Sequence, residues 1–345
     1  DSSAMSLPPI DIPLGAMRFN SDSQKLEYWM GSAWMQIQTF SPNLDGGVRG
    51  IYGTGGDFPA TTNTLEFITI SSQGNGVDFG DLTSARFGAA APSSSTRACF
   101  GGGSVGAPTY AHPNTIDYVT MASTGNAIDF GDQQHGYNGY GRGCMSSGTR
   151  GFFYGDRDEA SIDYITIAST GNANDFGDLN ENLGGGPTGG SSPTRGLFCG
   201  GYHPSPSLTN RNTIQFVTMA TLGNTKDFGD MTTVRGHPSV VGNATRILIT
   251  SGYTPTHIKS TDKVIIATGG NATRFGDTSF IGYAKSGVSS PTRGVFLNGS
   301  TPASPNLSNV IEYNELATEG DAVDFGDLTL SPFYSCGLSN GHGGL

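Results

Sequence analysis

The chain has 345 residues, 53 of them glycine, and carries a formal charge of −11 from 29 acidic and 18 basic side chains. No Lys/Arg run is present to meet a phosphate backbone, and no apolar run reaches about 18 residues, so neither nucleic acid nor a membrane-spanning helix is expected. Glycine is costly inside helices, and no stretch sustains an i, i+3, i+4, i+7 apolar pattern, so the composition predicts an all-β chain of short strands and tight turns.

Asp1–Ile10 shows no signal-peptide pattern. Residues 1–44 form a separate segment in which Gly15–Asn20, Leu26–Trp29 and Gly31–Ile37 read as two or three short strands, a small β-hairpin unit. Both tryptophans of the chain lie here. A piece this small does not bury Trp29, Trp34 and Met35 alone, so Met17, Phe19, Tyr28, Trp29 and Trp34 are the candidate attachment residues.

Residues 45–345 are organised by one motif. Asp-Phe-Gly-Asp occurs at Asp78–Asp81, Asp129–Asp132, Asp175–Asp178, Asp227–Asp230 and Asp324–Asp327, with Arg274–Asp277 as a sixth copy changed at its first residue. Copies follow one another at 46 to 52 residues, a period that signals a repeat architecture. Ahead of each motif lies an alternating stretch such as Ile116-Asp117-Tyr118-Val119-Thr120-Met121, a half-buried strand by its period of two. A Gly-Asn turn (Gly125-Asn126, Gly171-Asn172, Gly223-Asn224) joins the two, since both residues tolerate positive φ. After the motif come small residues, then a Thr-Arg turn (Arg97, Arg150, Arg195, Arg246, Arg293), then an apolar strand ending in glycine.

One unit therefore holds four antiparallel strands, the make-up of a propeller blade, and the small residues suit strands converging on an axis. The chain ends on a small-residue strand near Cys336, and the apolar strand that should follow it stands at Arg49–Gly56. The expectation is a six-bladed β-propeller closed by the C-terminal strand joining the N-terminal blade, which removes two open edges.

The repeated Asp-Phe-Gly-Asp is expected to be structural: Phe between blades, Gly for close backbone approach, Asp bonding turn amides. The once-per-repeat arginines are expected to bond an Asp or a backbone carbonyl of the neighbouring repeat, with an anionic ligand as the alternative. Cys99, Cys144, Cys199 and Cys336 lack CxxC spacing and read as free thiols; the histidines lack ligand spacing, so no metal and no cofactor is expected. The connections after the glycine-ended strands vary in length and carry Tyr110, His112, Tyr202, His203, Tyr253 and His257. They share a face with Gln133–Tyr140, which adds Gln134, His135 and Tyr137. Variable polar and aromatic loops on a rigid scaffold make this the candidate binding face.

Strand, glycines, alternating strand with an aromatic, and a following Arg (Arg86, Arg235) resemble the kelch repeat over about residues 45–345, with Phe in place of the usual tryptophan. Gly15–Asn20 with Gly31-Ser32-Ala33-Trp34 resembles a hairpin of bacteriophage tail-fibre and virion proteins, and the blade consensus resembles repeats in phages of marine bacteria and cyanobacteria. The resemblance implies a non-enzymatic virion structural protein, a tail fibre, appendage or head decoration located on the phage particle. It would be held to other virion proteins through residues 1–44, with the propeller free to meet a host-surface glycan or protein; homo-oligomers are compatible with that layout. The rival readings are a carbohydrate-active enzyme or lectin on the same scaffold, and a cellular adaptor.

Overall fold

The computed structural model describes residues 12–21, 25–36, 48–56, 61–134, 143–155, 160–183, 188–203, 209–302, 307–331 and 334–341. His135 and Tyr137 lie outside these residues, and of His203 only the backbone is described. The chain divides into two compact units, Asp1–Leu44 and Asp45–Leu345, and all regular structure among the described residues is strand or turn, with no helix.

In the first unit Met17–Asn20, Lys25–Trp29 and Trp34–Gln36 form a three-stranded antiparallel sheet. The register sets Met17, Tyr28 and Met35 in one cross-strand row, so these side chains share a face with Phe19. Met17 and Phe19 are 60% and 65% exposed. The opposite face carries Trp29, which is buried and packs 5.4 Å from Trp34, and Arg18, which lies over Trp34 and pairs with Glu27. The five candidate attachment residues are thus divided between two faces, with only Met17, Phe19 and Tyr28 presented together.

The second unit is built from antiparallel sheets, most of them four-stranded, an arrangement consistent with a propeller-like fold. The first sheet pairs Cys336–Ser339 with Arg49–Gly53, Thr64–Thr69 and Val77–Asp81. The second holds Arg97–Gly101, Thr115–Thr120 and Ile128–Asp132, joined by the single bridges Phe87–Ser104, Ala90–Gly101 and Ser93–Ala98. The third (Gly143–Ser146 to Asn174–Asp178), fourth (Thr188–Ser191 to Lys226–Asp230), fifth (Ser239–Gly242 to Thr273–Gly282) and sixth (Ser286–Ser289 to Val323–Asp327) follow in chain order. The pairing expected of the two chain ends is present: Cys336 opposes Gly53 and Ser339 opposes Gly50.

The repeated motif has a geometric reason. In every sheet the ladder skips the motif's Phe: Ile116 opposes Gly131 and Asp117 opposes Asp129, which leaves Phe130 as the extra residue of a β-bulge. The bulge turns the ring into the contact between sheets and frees its carbonyl, which accepts the Gly171 amide from the turn of the next sheet at 2.8 Å. The amide of Asp132 donates to Asn172 Oδ1 at 3.0 Å. The aspartates were expected to bond turn amides with their side chains; instead the second aspartate's backbone makes the bond, and the asparagine supplies the side chain. The same docking recurs from Phe79, Phe176, Phe228 and Phe275, with Asp321 in the asparagine's place in the sixth sheet, and from Phe325 it runs to Gly74 of the first sheet.

The turn arginines run the same way. Nη1 of Arg49, Arg97, Arg150, Arg195 and Arg246 donates to a backbone carbonyl of the following sheet, and Arg293 donates to Ile70 of the first. Most stack on an aromatic ring, as Arg97 does 4.7 Å above Tyr118. The apolar side chains sort into six clusters, each drawn from two consecutive sheets, with the sixth and first sheets sharing one. Burial therefore sits between sheets, and no sheet buries its faces alone.

A second set of contacts uses one buried residue at the same place in each middle strand. Asp117 and Asp262 are fully buried and pair with the equally buried Arg86 and Arg235 at 2.7 and 3.1 Å, and Glu312 pairs with Lys285 at 2.5 Å. Gln215 stands there in the fourth sheet and accepts from Thr225 and the Asn180 amide. In the first sheet the residue is Glu66, which has the Thr329 amide at 3.5 Å and, among the described residues, no cation. Burial, with help from Asp78, raises its pKa above the ordinary carboxylate value.

Candidate functional site

Two residues ahead of the bridge residue Ala90 and of the strands Ser239–Gly242, Ser286–Ser289 and Cys336–Ser339, equivalent positions share one backbone conformation. Gly88, His237, Ala284 and Tyr334 have φ of 66°, 49°, 54° and 52°. Glycine adopts this left-handed region freely, whereas other L-residues are held there at about 1–2 kcal/mol. Such strain gathers where a site needs a side chain in one place. At His237 and Tyr334 the second unit holds large rings where the second sheet has only Gly88.

These two rings are the centre of a continuous aromatic surface. His237 lies 5.2 Å from Tyr334, 5.6 Å from Tyr202 and 5.8 Å from Tyr283 between ring centroids, and its Nε2 is 3.5 Å from the Tyr334 hydroxyl. Tyr283 continues to His257 at 5.0 Å and Tyr253 at 6.0 Å. Phe87 ends the row at 6.4 Å from Tyr334. Local strand pairing fixes the rings: Tyr253 bridges Gly236, and Tyr283 bridges Ser300. The rings meet at tilted and edge angles, the arrangement their quadrupoles favour, and pack in direct contact with one another.

Behind His237 and Tyr334 opens a cavity of about 110 Å³, lined also by Cys144, Lys285 and Cys336. A deeper cavity of about 80 Å³ shares Cys144, Gly189, Val240, Gly287 and Gly337 with it, and all six sheets contribute to its wall. Volumes of this size hold a few waters, far below the several hundred Å³ of a small-molecule pocket, so a ligand of ordinary size meets the rim and not the interior. The deep wall is stitched by serines: Ser93 Oγ donates to the Ser339 carbonyl, Ser339 Oγ to Ser289, and Ser191 Oγ to Ser146. The small residues of these strands thus do more than fit; their hydroxyls tie neighbouring sheets.

Burial lowers the His237 pKa to about 4, so that ring is neutral at pH 7, and burial lowers the His257 pKa as well. Lys285 is fully buried and spent on Glu312. Burial pushes the thiols of Cys144 and Cys336 up to about 11 and about 12, which keeps them protonated and poor nucleophiles. All four cysteines are free.

No protein-family model matches the chain, and no curated protein matches it.

Of the nine binding-face residues expected from sequence, Tyr202, Tyr253 and His257 fall in the aromatic row. Tyr110 is exposed on the loop of the second sheet, and His112 turns back to that loop, with Nδ1 2.6 Å from Ser104 Oγ. Gln134 lies at a seam between sheets: its amide donates to Asp163 and its side chain donates to the Ala173 carbonyl. His203, His135 and Tyr137 lie outside the described side chains. His237, Tyr283 and Tyr334 were missed, because they follow the repeat motif at positions that read as connections. Aligning the repeats on their small-residue strands, so that Gly88, His237, Ala284 and Tyr334 fall in one column, is the signal that finds His237 and Tyr334; Tyr283 stands one residue before that column.

Proposed function

We propose that this chain is a non-enzymatic structural and attachment protein of a bacteriophage particle. In this reading Asp45–Leu345 is a six-bladed, kelch-like β-propeller closed by the pairing of its two ends, and residues 1–44 hold it to other virion proteins. The aromatic rim around His237 faces outward as the ligand surface, directed at the host.

The observation that carries the reading is the pairing of two features at one end of the second unit: rings held in a strained backbone conformation, and interior space too small for a substrate. Asp117, Asp262 and Glu312 support the non-enzymatic part, because their carboxylates are consumed by buried partners that tie consecutive sheets. Placement in a virion rests on the resemblance of the N-terminal hairpin and of the repeat. The exposed row of Met17, Phe19 and Tyr28 supports attachment through the first unit, since an apolar sheet face of this kind requires a cover.

Removing residues 1–44 is expected to leave a folded propeller that no longer enters particles. Particles that incorporate the truncated chain at the normal level would refute the attachment role.

A further inference from the structure

We propose that the aromatic rim binds an uncharged sugar, with Tyr253 and Tyr283 as stacking platforms and His237 as a hydrogen-bonding group. The proposal rests on reading this rim as the ligand surface, and it names the ligand's chemistry.

Three observations select that chemistry. The first is shape. Tyr253, His257 and Tyr283 form a contiguous set of rings at 5.0 to 6.0 Å, with Tyr253 exposed and the others half-buried. Flat, partly wet ring faces bury the apolar C–H face of a pyranose while leaving its hydroxyls at the edge, where Tyr hydroxyls and imidazole nitrogens meet them. The second is charge. An anionic ligand needs an unspent Arg or Lys in reach, yet Lys285 is buried against Glu312, the partly exposed Lys259 and Arg211 pair with Asp277 and Glu181, and burial disfavours the charged form of both imidazoles. The chain as a whole carries −11, which repels anions further. The third is ring spacing. A cationic ammonium ligand needs ring faces that surround it, whereas Tyr253, His257 and Tyr283 stand 5.0 to 6.0 Å apart between centroids, in contact with one another and with no room for an ion between them.

The rim is also pre-organised. His237 and Tyr334 are fixed by backbone dihedrals and by mutual packing, so little side-chain entropy is lost when a ligand settles.

The test is an oligosaccharide microarray carrying neutral, sialylated and sulfated members, probed with the full chain and with Tyr253→Ala, Tyr283→Ala and Tyr110→Ala. Binding confined to neutral members is expected, weakened about tenfold by either rim substitution and unchanged by Tyr110→Ala. Circular dichroism and melting of each variant separate lost binding from lost folding, and His237→Gly, whose backbone demand glycine meets, gives a third rim variant expected to fold. Neutral-sugar binding that survives all three rim substitutions overturns the site. Binding only to acidic members, or to none, overturns the ligand class. Adsorption to bacterial cells distinguishes the underlying reading: if rim variants adsorb as well as the parent, the rim is not the host-facing surface, whatever the array shows.

Discussion

Gly131→Ala probes the docking of one sheet on the next at a single atom. Gly131 has φ of 144°, and a Cβ built on it would stand 2.6 Å from the backbone carbonyl carbon and oxygen of Gly171, where ordinary contact begins near 3.4 Å. The obstacle is backbone, so no side chain can swing aside. Two costs add. The dihedral is one that L-residues rarely adopt, at about 1–3 kcal/mol. Moving the turn by most of an ångström strains three hydrogen bonds, Gly171 N to Phe130 O, Ala173 N to Asp132 O and Asp132 N to Asn172 Oδ1, each contributing about 1 kcal/mol. The expected loss is about 4–6 kcal/mol by equilibrium urea unfolding if all three bonds are lost. Gly148→Ala is the control: nothing lies within 4 Å of its Cβ and its φ is unexceptional, so its effect should stay within about 0.5 kcal/mol. If Gly131→Ala costs less than about 1 kcal/mol, or no more than Gly148→Ala, the reasoning is refuted.

Other consequences follow from the buried polar groups. Asp117→Ala strands the Arg86 guanidinium in the interior and should cost about 3–5 kcal/mol, whereas replacing both by Met and Leu should recover most of the loss; equal damage from the double variant would contradict this account of the pair. Glu66 has a raised pKa when folded, so its contribution is favourable at acidic pH and is lost as pH rises through the folded value. Glu66→Gln, which copies Gln215 of the fourth sheet, should therefore stabilise the chain at pH 8 and flatten that part of its stability profile; a variant less stable at pH 8 than the parent would reverse the sign. His237 has a lowered pKa, so its contribution is intact above about pH 6.5 and declines as pH falls towards about 4. His237→Gly should remove that acid limb while leaving stability at pH 7 within about 1 kcal/mol, and an unchanged acid limb would exclude His237 as its source.

Much of the fold was legible because it is written six times. The alternating strand, the Gly-Asn turn and Asp-Phe-Gly-Asp each recur with their spacing, and repetition turns a weak local signal into a firm one. The pairing of Cys336–Ser339 with Arg49–Gly53 was readable from one missing strand at each end. The reason for the motif was not. A β-bulge at Phe130 depends on a neighbour that docks only after folding, so the sequence suggested Asp side chains where the backbone of Asp132 acts. The candidate site was half legible for a related reason. Tyr202, Tyr253 and His257 stand in loops that announce themselves by length and composition. His237 and Tyr334 acquire meaning only from a left-handed backbone, which no local pattern reports when the residue is not glycine. Glu66 and Lys285 show the limits of repetition: at equivalent places the sheets substitute freely, provided each buried group finds something to bond.

The central claim is that the first and last strands of Asp45–Leu345 hold each other as firmly as any internal pair. Native-state hydrogen exchange on the full chain tests it directly, by comparing amides of Arg49–Gly53 and Cys336–Ser339 with those of Gly143–Ser146 and Arg150–Tyr154. The account predicts protection of the same order in both pairs, lost together at the global unfolding free energy. Rapid exchange in the terminal pair, with the internal pair still protected, would contradict it.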